Sequence, residues 1–542
     1  MQSTMMDSQL TTTAVMRHGA TVHGASRVRT LLPDGSVRVS TYAEVAARAA
    51  QLAHALRGVG VTGDQRVGTF LWNNQEHVEA YCAVPSMGAV LHTLNLRLAA
   101  EQLVYIADHA EDQVVIIDGS LVPLFAPVLP QLSTVHTVVV TGGVDRSPLE
   151  GHGKTVLDYE EFLSGHPTTF DWPELDERAA AFMCYTSGTT GNPKGVVYSH
   201  RSTYLHSMAV LAKGALGIDA DDSVLAIVPQ FHANAWGLIY AALMAGADLV
   251  MPDRFLQAEP LVKFIDQEKP TMAGAVPTIW NDVLQFLEAN PSYDISSLKM
   301  VACGGSAVPR HLMEVLEQRH GVRIIQAWGM TETSPVAAVA RPPASATDEE
   351  HWTLRATAGR PVCGVEARIV DDEGGVLPND GDSVGELQVR GPWITAAYYR
   401  DNDPGKFEDG WLRTGDVGKM DARHFITLTD RAKDVIKSGG EWISSVDLEL
   451  LIASHPDVLE AAVIGVPDER WQERPLAAVV VKEGHEVTPA QLRDFLADKV
   501  AKWWLPERWT FIDQVPRTSV GKFDKKVLRA QHSDGGLDVV ES

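Results

Sequence analysis

The chain has 542 residues, 45% of them hydrophobic, with 70 acidic against 46 basic side chains and a net charge of −24. A domain scale of about 150 residues predicts roughly three or four units, so more than one core is expected. The acidic balance argues against a nucleic-acid surface or an anionic membrane as the main partner, and any polyphosphate has to be met by local positive charge.

The four cysteines, Cys82, Cys184, Cys303 and Cys363, are widely separated, with no Cys-x-x-Cys and no clustered histidines. Neither a disulfide framework nor a zinc site is indicated, and a reducing cytoplasm is expected. The opening residues lack a basic head and an apolar run, and no later segment keeps about 18 apolar residues free of charge, so a soluble chain is expected.

Between residues 66 and 140, apolar runs at 67–71, 114–117 and 137–140 alternate with helix-like stretches at 76–86 and 99–107. That alternation predicts a parallel sheet with covering helices. Next comes Tyr185-Thr186-Ser187-Gly188-Thr189-Thr190-Gly191-Asn192-Pro193-Lys194-Gly195. Glycines let backbone N–H groups turn toward an anion, the hydroxyls add donors, and Lys194 supplies the countercharge. The spacing excludes a Walker A loop, because Gly188 is followed by Thr189-Thr190-Gly191 and Lys194 precedes Gly195. Apolar runs at 179–185 and 195–198 make the segment a strand-to-strand turn suited to phosphates.

A second α/β unit follows, with strands at 224–228, 248–251, 272–276, 300–303 and 323–326 and a helix at 309–320. In open α/β sheets ligands bind beyond the carboxyl ends of the strands. Here those ends lead to His232 and Trp236, to Pro277-Thr278, to Gly304-Gly305-Ser306, and to Trp328-Gly329-Met330-Thr331-Glu332. Taken singly, His232 reads equally as a hydrogen-bonded core histidine, Trp236 and Trp328 as core aromatics, and Gly304-Gly305 as a tight turn. Glu332 beside Thr331 offers hard oxygen atoms suited to Mg²⁺. Their joint occurrence with the loop at Thr186 points to a nucleotide site.

From 364 to 426, short strands such as 367–370 and 386–389 predict a small β unit, a barrel or a sandwich. Residues 430–442 concentrate charge beside Gly439-Gly440, which suits a swivelling connector better than a sheet interior. Strands at 462–466, 477–481 and 509–512 with a helix at 488–500 predict a compact α+β unit ending near Ala530. Residues 531–542 are expected to be a frayed tail. The fold class is therefore α/β: two α/β sheet subdomains plus a small β-barrel-like subdomain within 1–429, a hinge at 430–437, and a small mobile α+β domain at 438–530.

Five motifs in this order carry a family resemblance: the loop at Thr186, the Trp328 to Glu332 motif, Trp411-Leu412-Arg413-Thr414-Gly415-Asp416, the hinge, and Pro516-Arg517-Thr518-Ser519-Val520-Gly521-Lys522. Over nearly its whole length the chain resembles the adenylate-forming superfamily of acyl-CoA synthetases, luciferases and peptide-synthetase adenylation domains. Residues 231–236, residues 436–447 and the Met5-Met6 opening are most similar to medium- and long-chain fatty acyl-CoA synthetases and methylthiopropionate-CoA ligases.

The resemblance implies ATP, Mg²⁺ and coenzyme A, and two half-reactions: a carboxylate and ATP give acyl-AMP and pyrophosphate, then the CoA thiol expels AMP. It implies that Thr186, Ser187, Gly188, Thr189, Thr190, Gly191 and Lys194 hold the β and γ phosphates, with Thr186 and Glu332 as metal contacts. Gly305, Gln326, Ala327 and Thr331 would line the adenine and α-phosphate, Ala233 and Ala327 through backbone contacts. Asp416 would take the ribose hydroxyls with Arg431 nearby, and Lys433, Lys437 and Trp442 would approach from the connector. Lys522 would be the catalytic lysine, bridging carboxylate and α-phosphate, and would swing away as the C-terminal domain turns about Lys433. In that second pose Ser438, Gly439, Gly440 and Glu441 would border the pantetheine tunnel.

His232 would orient the acyl group or thiol, and Trp236 would gate the acyl tunnel. The small residues Ala233, Ala235, Gly237, Gly274, Ala275, Gly304 and Gly305 would leave room for an alkyl chain. A homodimer is implied by related long-chain synthetases. Alternative readings are a short-chain acid such as 3-methylthiopropionate as substrate, loading of a carrier protein in trans, and a non-catalytic acyl-AMP or AMP sensor.

Overall fold

The computed structural model describes residues 1–186, 192–401, 403–431, 434, 436–438, 441–468, 470–518 and 522–541, without the side chains of Arg431, Lys437, Glu441 and Trp442. Strand residues alternate between two faces, so a sheet covered on both sides must be apolar at every position. The first sheet shows this directly. Val67, Val114, Ile116, Val139 and Phe182 face one core, while Phe70, Val115, Ile117, Val138 and Met183 face another. Its seven strands run in the order Thr155–Asp158, Thr137–Val140, Asp112–Ile117, Arg66–Phe70, Val90–Thr93, Ala180–Tyr185 and Gly195–Ser199. All neighbours are parallel except the last pair, an antiparallel hairpin whose turn holds the phosphate-like loop.

The second sheet has nine strands, with Arg323–Gly329, Met300–Cys303, Met272–Ala275, Ser223–Ala226, Asp248–Met251 and Arg27–Leu31 forming its parallel centre. The strand expected to reach 228 is regular only to Ala226, although the Val228 N–H still donates to the Gly274 carbonyl at 2.8 Å. The hairpin of Arg27–Leu31 and Val37–Thr41 sits at one edge of this sheet, a pairing between segments more than 200 residues apart that local pattern does not reveal.

The two sheets share one core. Between them lies the helix Gln75–Ser86, buried at every residue and capped by the Asn74 side chain accepting from the His77 N–H at 3.1 Å. Its Glu79 is fully buried and is satisfied by Arg48 Nε at 2.6 Å, the Tyr159 hydroxyl at 2.7 Å and the Gln75 amide at 2.8 Å. A charge in such surroundings persists only when paired and hydrogen-bonded.

The small β unit is one open antiparallel sheet, Glu366–Val370, Gly385–Arg390, Trp411–Met420, Phe407–Glu408 and Ile426–Arg431. The described residues of the connector lie largely in strands. Asp430 and Arg431 end a strand of this sheet, and Ile436–Ser438 pairs with Glu441–Ile443 to open the next one. Ile436 and Ile443 are fully buried, so the segment's apolar residues anchor both its strands in the C-terminal core.

That C-terminal sheet continues through Gln472–Val481, which pairs with Val458–Asp468, and Arg508–Phe511. The helix expected over 488–500 ends at Leu496. The tail is not frayed. The helix Lys525–Ser533 precedes Val539–Glu541, which pairs antiparallel with Arg508–Phe511 and covers an otherwise open edge. Leu537 and Val539 pack on the adjoining core. Truncation after Asp534 is expected to lower the stability of the C-terminal unit by roughly 1–2 kcal/mol in denaturant unfolding; an unchanged midpoint would return the tail to the frayed state.

Candidate active site

The carboxyl ends of both large sheets and one loop of the C-terminal unit enclose a cavity of about 680 Å³. The hairpin contributes Thr186, Asn192, Pro193 and Lys194; the second sheet contributes His232, Trp236, Gly304, Gly305, Ala327 and Trp328, with Thr331 and Glu332 following. Lys522 enters from the C-terminal domain. Of the expected residues, Ser187, Gly188, Thr189, Thr190, Gly191, Lys433, Gly439 and Gly440 lie outside the described residues.

Lys522 is tied to Thr518: its carbonyl accepts from the Thr518 N–H at 2.7 Å, and its own N–H donates to Thr518 Oγ1 at 3.2 Å. Arg517, next to Thr518, is ion-paired with Glu460 and acts on Asp282 of the helix Pro277–Ala289 across the domain boundary. The Lys522 stem passes over Gly305, where a Cβ would lie 3.6 Å from its Cε. Gly305 also has φ of +88°, a conformation that favours glycine.

Glu332 is buried, and its Oε1 accepts from the Tyr398 hydroxyl at 2.6 Å. Thr186 Oγ1 accepts from the Lys194 N–H at 3.0 Å. The Lys194 ammonium is held by Asp403 at 2.7 Å and Asp401 at 3.3 Å and lies 4.8 Å from the centre of the Tyr398 ring. Its hydrogen bond to Asp403 raises its pKa above the ordinary lysine value. Tyr398, Asp401 and Asp403 were not among the expected site residues; the one sequence signal was a dense run of aromatic and charged residues at 398–403.

Three expectations are corrected. Gln326 does not line the cavity: its Oε1 accepts from the Val308 N–H at 2.7 Å and its amide donates to the Thr357 carbonyl at 2.8 Å, which ties both ends to backbone. Ala233 is buried off the cavity wall, where it begins a left-handed turn. Asp416 lies behind the wall, its Oδ2 accepting from Trp328 Nε1 at 2.8 Å. Arg431 is its partner in strand register, Lys437 pairs with Trp442, and Ser438 receives Arg474 Nη1 at 3.2 Å away from the cavity.

The acyl side is also filled differently. Ala233, Asn234, Ala235, Trp236 and Gly237 all have positive φ, from +45° to +76°. Such a turn costs about 1–2 kcal/mol at each non-glycine residue, so packing must hold it. Asn234 Oδ1 takes the Tyr81 hydroxyl at 3.3 Å and the Cys184 thiol at 3.4 Å. The turn drives the Trp236 indole across Gly274 and Gly304, where Cβ atoms would lie 3.7 and 3.4 Å from its ring. Gly237 abuts His206 instead, and Ala275 faces the core on the other side of its sheet. At Gly274 and Gly304 the expected room is thus occupied by Trp236 itself.

Residues 17–399 match the family model described as AMP-binding enzyme, and residues 447–522 match that described as AMP-binding enzyme C-terminal domain. The chain is 43% identical to a 3-methylmercaptopropionyl-CoA ligase of Ruegeria pomeroyi, covering 98% of each chain. It is 44% identical to a long-chain-fatty-acid–CoA ligase of Thermus thermophilus, over 98% of this chain and 97% of that one. Among solved structures it resembles the anthranilate CoA ligase AuaEII in complex with anthranoyl-AMP, with a TM-score of 0.88, 26% identity, and coverage of 99% of this chain and 100% of that one.

The histidine at the centre of the cavity is electrostatically unusual. Burial pulls His232 down to about 3, with the charges of Lys522 and Arg97 acting in the same direction. Folded His232 therefore binds its proton more weakly than the unfolded chain does. Its contribution disfavours the folded state progressively as pH falls from about 6.5 toward 3. The imidazole resonances of His232 are expected to stay flat from pH 8 to about 5; a midpoint near 6.5 would contradict the burial.

Proposed function

Because the chain belongs to the AMP-binding enzyme family, we propose that it is an ATP-dependent acid–thiol ligase joining a monocarboxylic aliphatic acid to coenzyme A through an acyl-adenylate. The observation that carries this reading is the Lys522 stem lying over Gly305 in the cavity that Thr186 and Glu332 also line. A carboxylate is a poor acyl donor because its charge is delocalised and its leaving group would be oxide. In the first step a carboxylate oxygen attacks the α-phosphorus of ATP and pyrophosphate leaves with the bonding electron pair. In the second the thiol sulfur, its proton lost, attacks the acyl carbon and AMP leaves.

The Lys522 ammonium lies where negative charge gathers as carboxylate and α-phosphate join, and removal of one such contact typically costs about 10²- to 10³-fold in rate. Thr186 and Lys194 serve the terminal phosphates, which must draw Lys194 from Asp401 and Asp403. Asp416 stands behind the cavity wall on the Trp328 indole, so the ribose contact expected of it would require Trp328 to shift. Oxygen donors suit Mg²⁺, and Thr186 Oγ1 and the Glu332 carboxylate meet that requirement. Among the described residues no group of three or more His, Cys, Asp or Glu fits a metal ion, so phosphate and water would complete the shell. Mg²⁺ bound there would neutralise phosphate charge.

Thioester formation requires Lys522 to leave, and rotation about Lys433 between 1–429 and 438–530 supplies that movement. An alkyl chain enters only when Trp236 moves off Gly274 and Gly304, and the wall it vacates is apolar, which favours an acid with no second charge. Substrates from methylthio-acids to fatty acids fall within this class. No helix among the described residues is long and apolar enough to cross a membrane. A cytoplasmic homodimer is part of the same proposal.

The variant Lys522→Ala is expected to lose acid-dependent ATP–pyrophosphate exchange by about 10²-fold or more, while retaining most thioester formation from supplied acyl-AMP. Equal loss of both steps would sink the assignment. Across a panel from propionate and methylthiopropionate to palmitate, affinity is expected to rise by about 0.8 kcal/mol per buried CH₂ until the tunnel ends. Fastest turnover of succinate or an amino acid would contradict the monocarboxylic reading.

A further inference from the structure

His109, in the last turn of the helix Ala100–Ala110, lies on the cavity wall within a box of three tyrosines. Tyr105 stacks on its ring at 5.3 Å, and Tyr399 and Tyr185 meet it edge-on at 5.5 and 5.8 Å. The Tyr185 hydroxyl is 2.7 Å from His109 Nδ1. Tyr185 is itself braced by His92, whose ring is 5.0 Å away and whose Nδ1 pairs with Asp112 at 2.8 Å in full burial.

Burial lowers the pKa of His109, with Arg400 and His92 in the same sense and Asp401 and Glu111 opposed, so the ring is neutral at neutral pH. The Tyr185 hydroxyl faces Nδ1 at hydrogen-bond distance. When it donates there, the single imidazole proton sits on Nε2, on the far side of the ring from Tyr185. The next residue after Tyr185 is Thr186, at the start of the phosphate-like loop. The cations nearest this end are already engaged: Lys194 with Asp401 and Asp403, and Arg400 with Glu111 at 2.6 Å. A neutral, fixed N–H is therefore a donor that an incoming anion meets without first breaking an ion pair.

We propose that His109 is a phosphate-contacting residue, its Nε2–H donating to a β- or γ-phosphate oxygen of ATP and to the pyrophosphate that leaves, with Tyr185 fixing the tautomer. This rests on the reading that the Thr186 end of the cavity holds the terminal phosphates. Calorimetric titration of the full chain with ATP, pyrophosphate and AMP tests it. His109→Phe keeps a ring in the box without nitrogen, and His109→Gln restores an N–H near the position of Nε2. His109→Phe is expected to weaken ATP and pyrophosphate by about 10- to 100-fold and leave AMP within about two-fold. His109→Gln is expected to recover most of the loss, and Tyr185→Phe to reduce the ATP-to-AMP affinity ratio by about three-fold or more.

Unchanged ATP affinity in His109→Phe overturns the proposal, as does equal weakening of ATP and AMP, which marks a packing role. Should His109→Phe not fold, an unchanged ratio in Tyr185→Phe overturns it and a reduced ratio supports it. Wild-type protein that binds ATP no more tightly than AMP refutes the phosphate placement itself. Wild-type preference for ATP that persists in His109→Phe refutes His109 alone.

Discussion

A lysine from one domain enters the cavity of another across main chain that carries no side chain. At Gly305 the stem of Lys522 passes at contact distance from the position of a Cβ, and at Gly304 a Cβ would meet the Ala327 carbonyl at 2.7 Å. A side chain at Gly304 would force the strand end away from Ala327, and one at Gly305 would be strained by the φ of +88° and crowd Val276 Cγ1 at 3.3 Å. The surrounding architecture serves this approach. Parallel strands deliver their carboxyl ends to one edge, and the buried helix Gln75–Ser86 fixes the two sheets against each other. Arg517, ion-paired with Glu460, adds a favourable charge interaction with Asp282 across the domain boundary.

Electrostatics at this edge run against the bulk charge of −24. The cavity gathers Lys194, Lys406 and Lys522, but it does not present Lys194 bare: two aspartates and an aromatic face hold that charge. A polyphosphate bound as proposed would exchange with carboxylates for Lys194, whereas neutral donors on Thr186 and His109 would need no such exchange. The buried His232 remains uncharged beside Lys522, so it can accept or orient a polar group without adding positive charge. Division of labour between paired cations and neutral donors suits a site that must bind an anion and then release part of it.

On the acyl side, the left-handed turn at 233–237 is a local cost sustained by tertiary contacts from Tyr81 and Cys184. Strain of this kind is stable only when the surroundings over-determine it. It carries Trp236 over two glycines from separate strands, so one short segment covers a wall that other elements build.

The sequence by itself determined the unit order, the α/β character of both large sheets, the strand-to-strand turn before Lys194, and the strand ends that carry His232, Gly305 and Glu332. These features are legible because continuous apolar runs, glycines and hydroxyl-rich loops express local backbone requirements. Tertiary structure alone decided the rest. Gln326 belongs to a backbone tie and not to the cavity because its partners, Val308 and Thr357, lie on separate elements. Asp401, Asp403 and His109 join the site through loops and a helix end whose neighbours are remote in sequence. Residues 539–541 form a strand because an edge at 508–511 is there to receive them. Local pattern specifies what a segment is able to become; which side chains meet, and which charges are already spoken for, depends on contacts that exist only once the sheets have closed on one another.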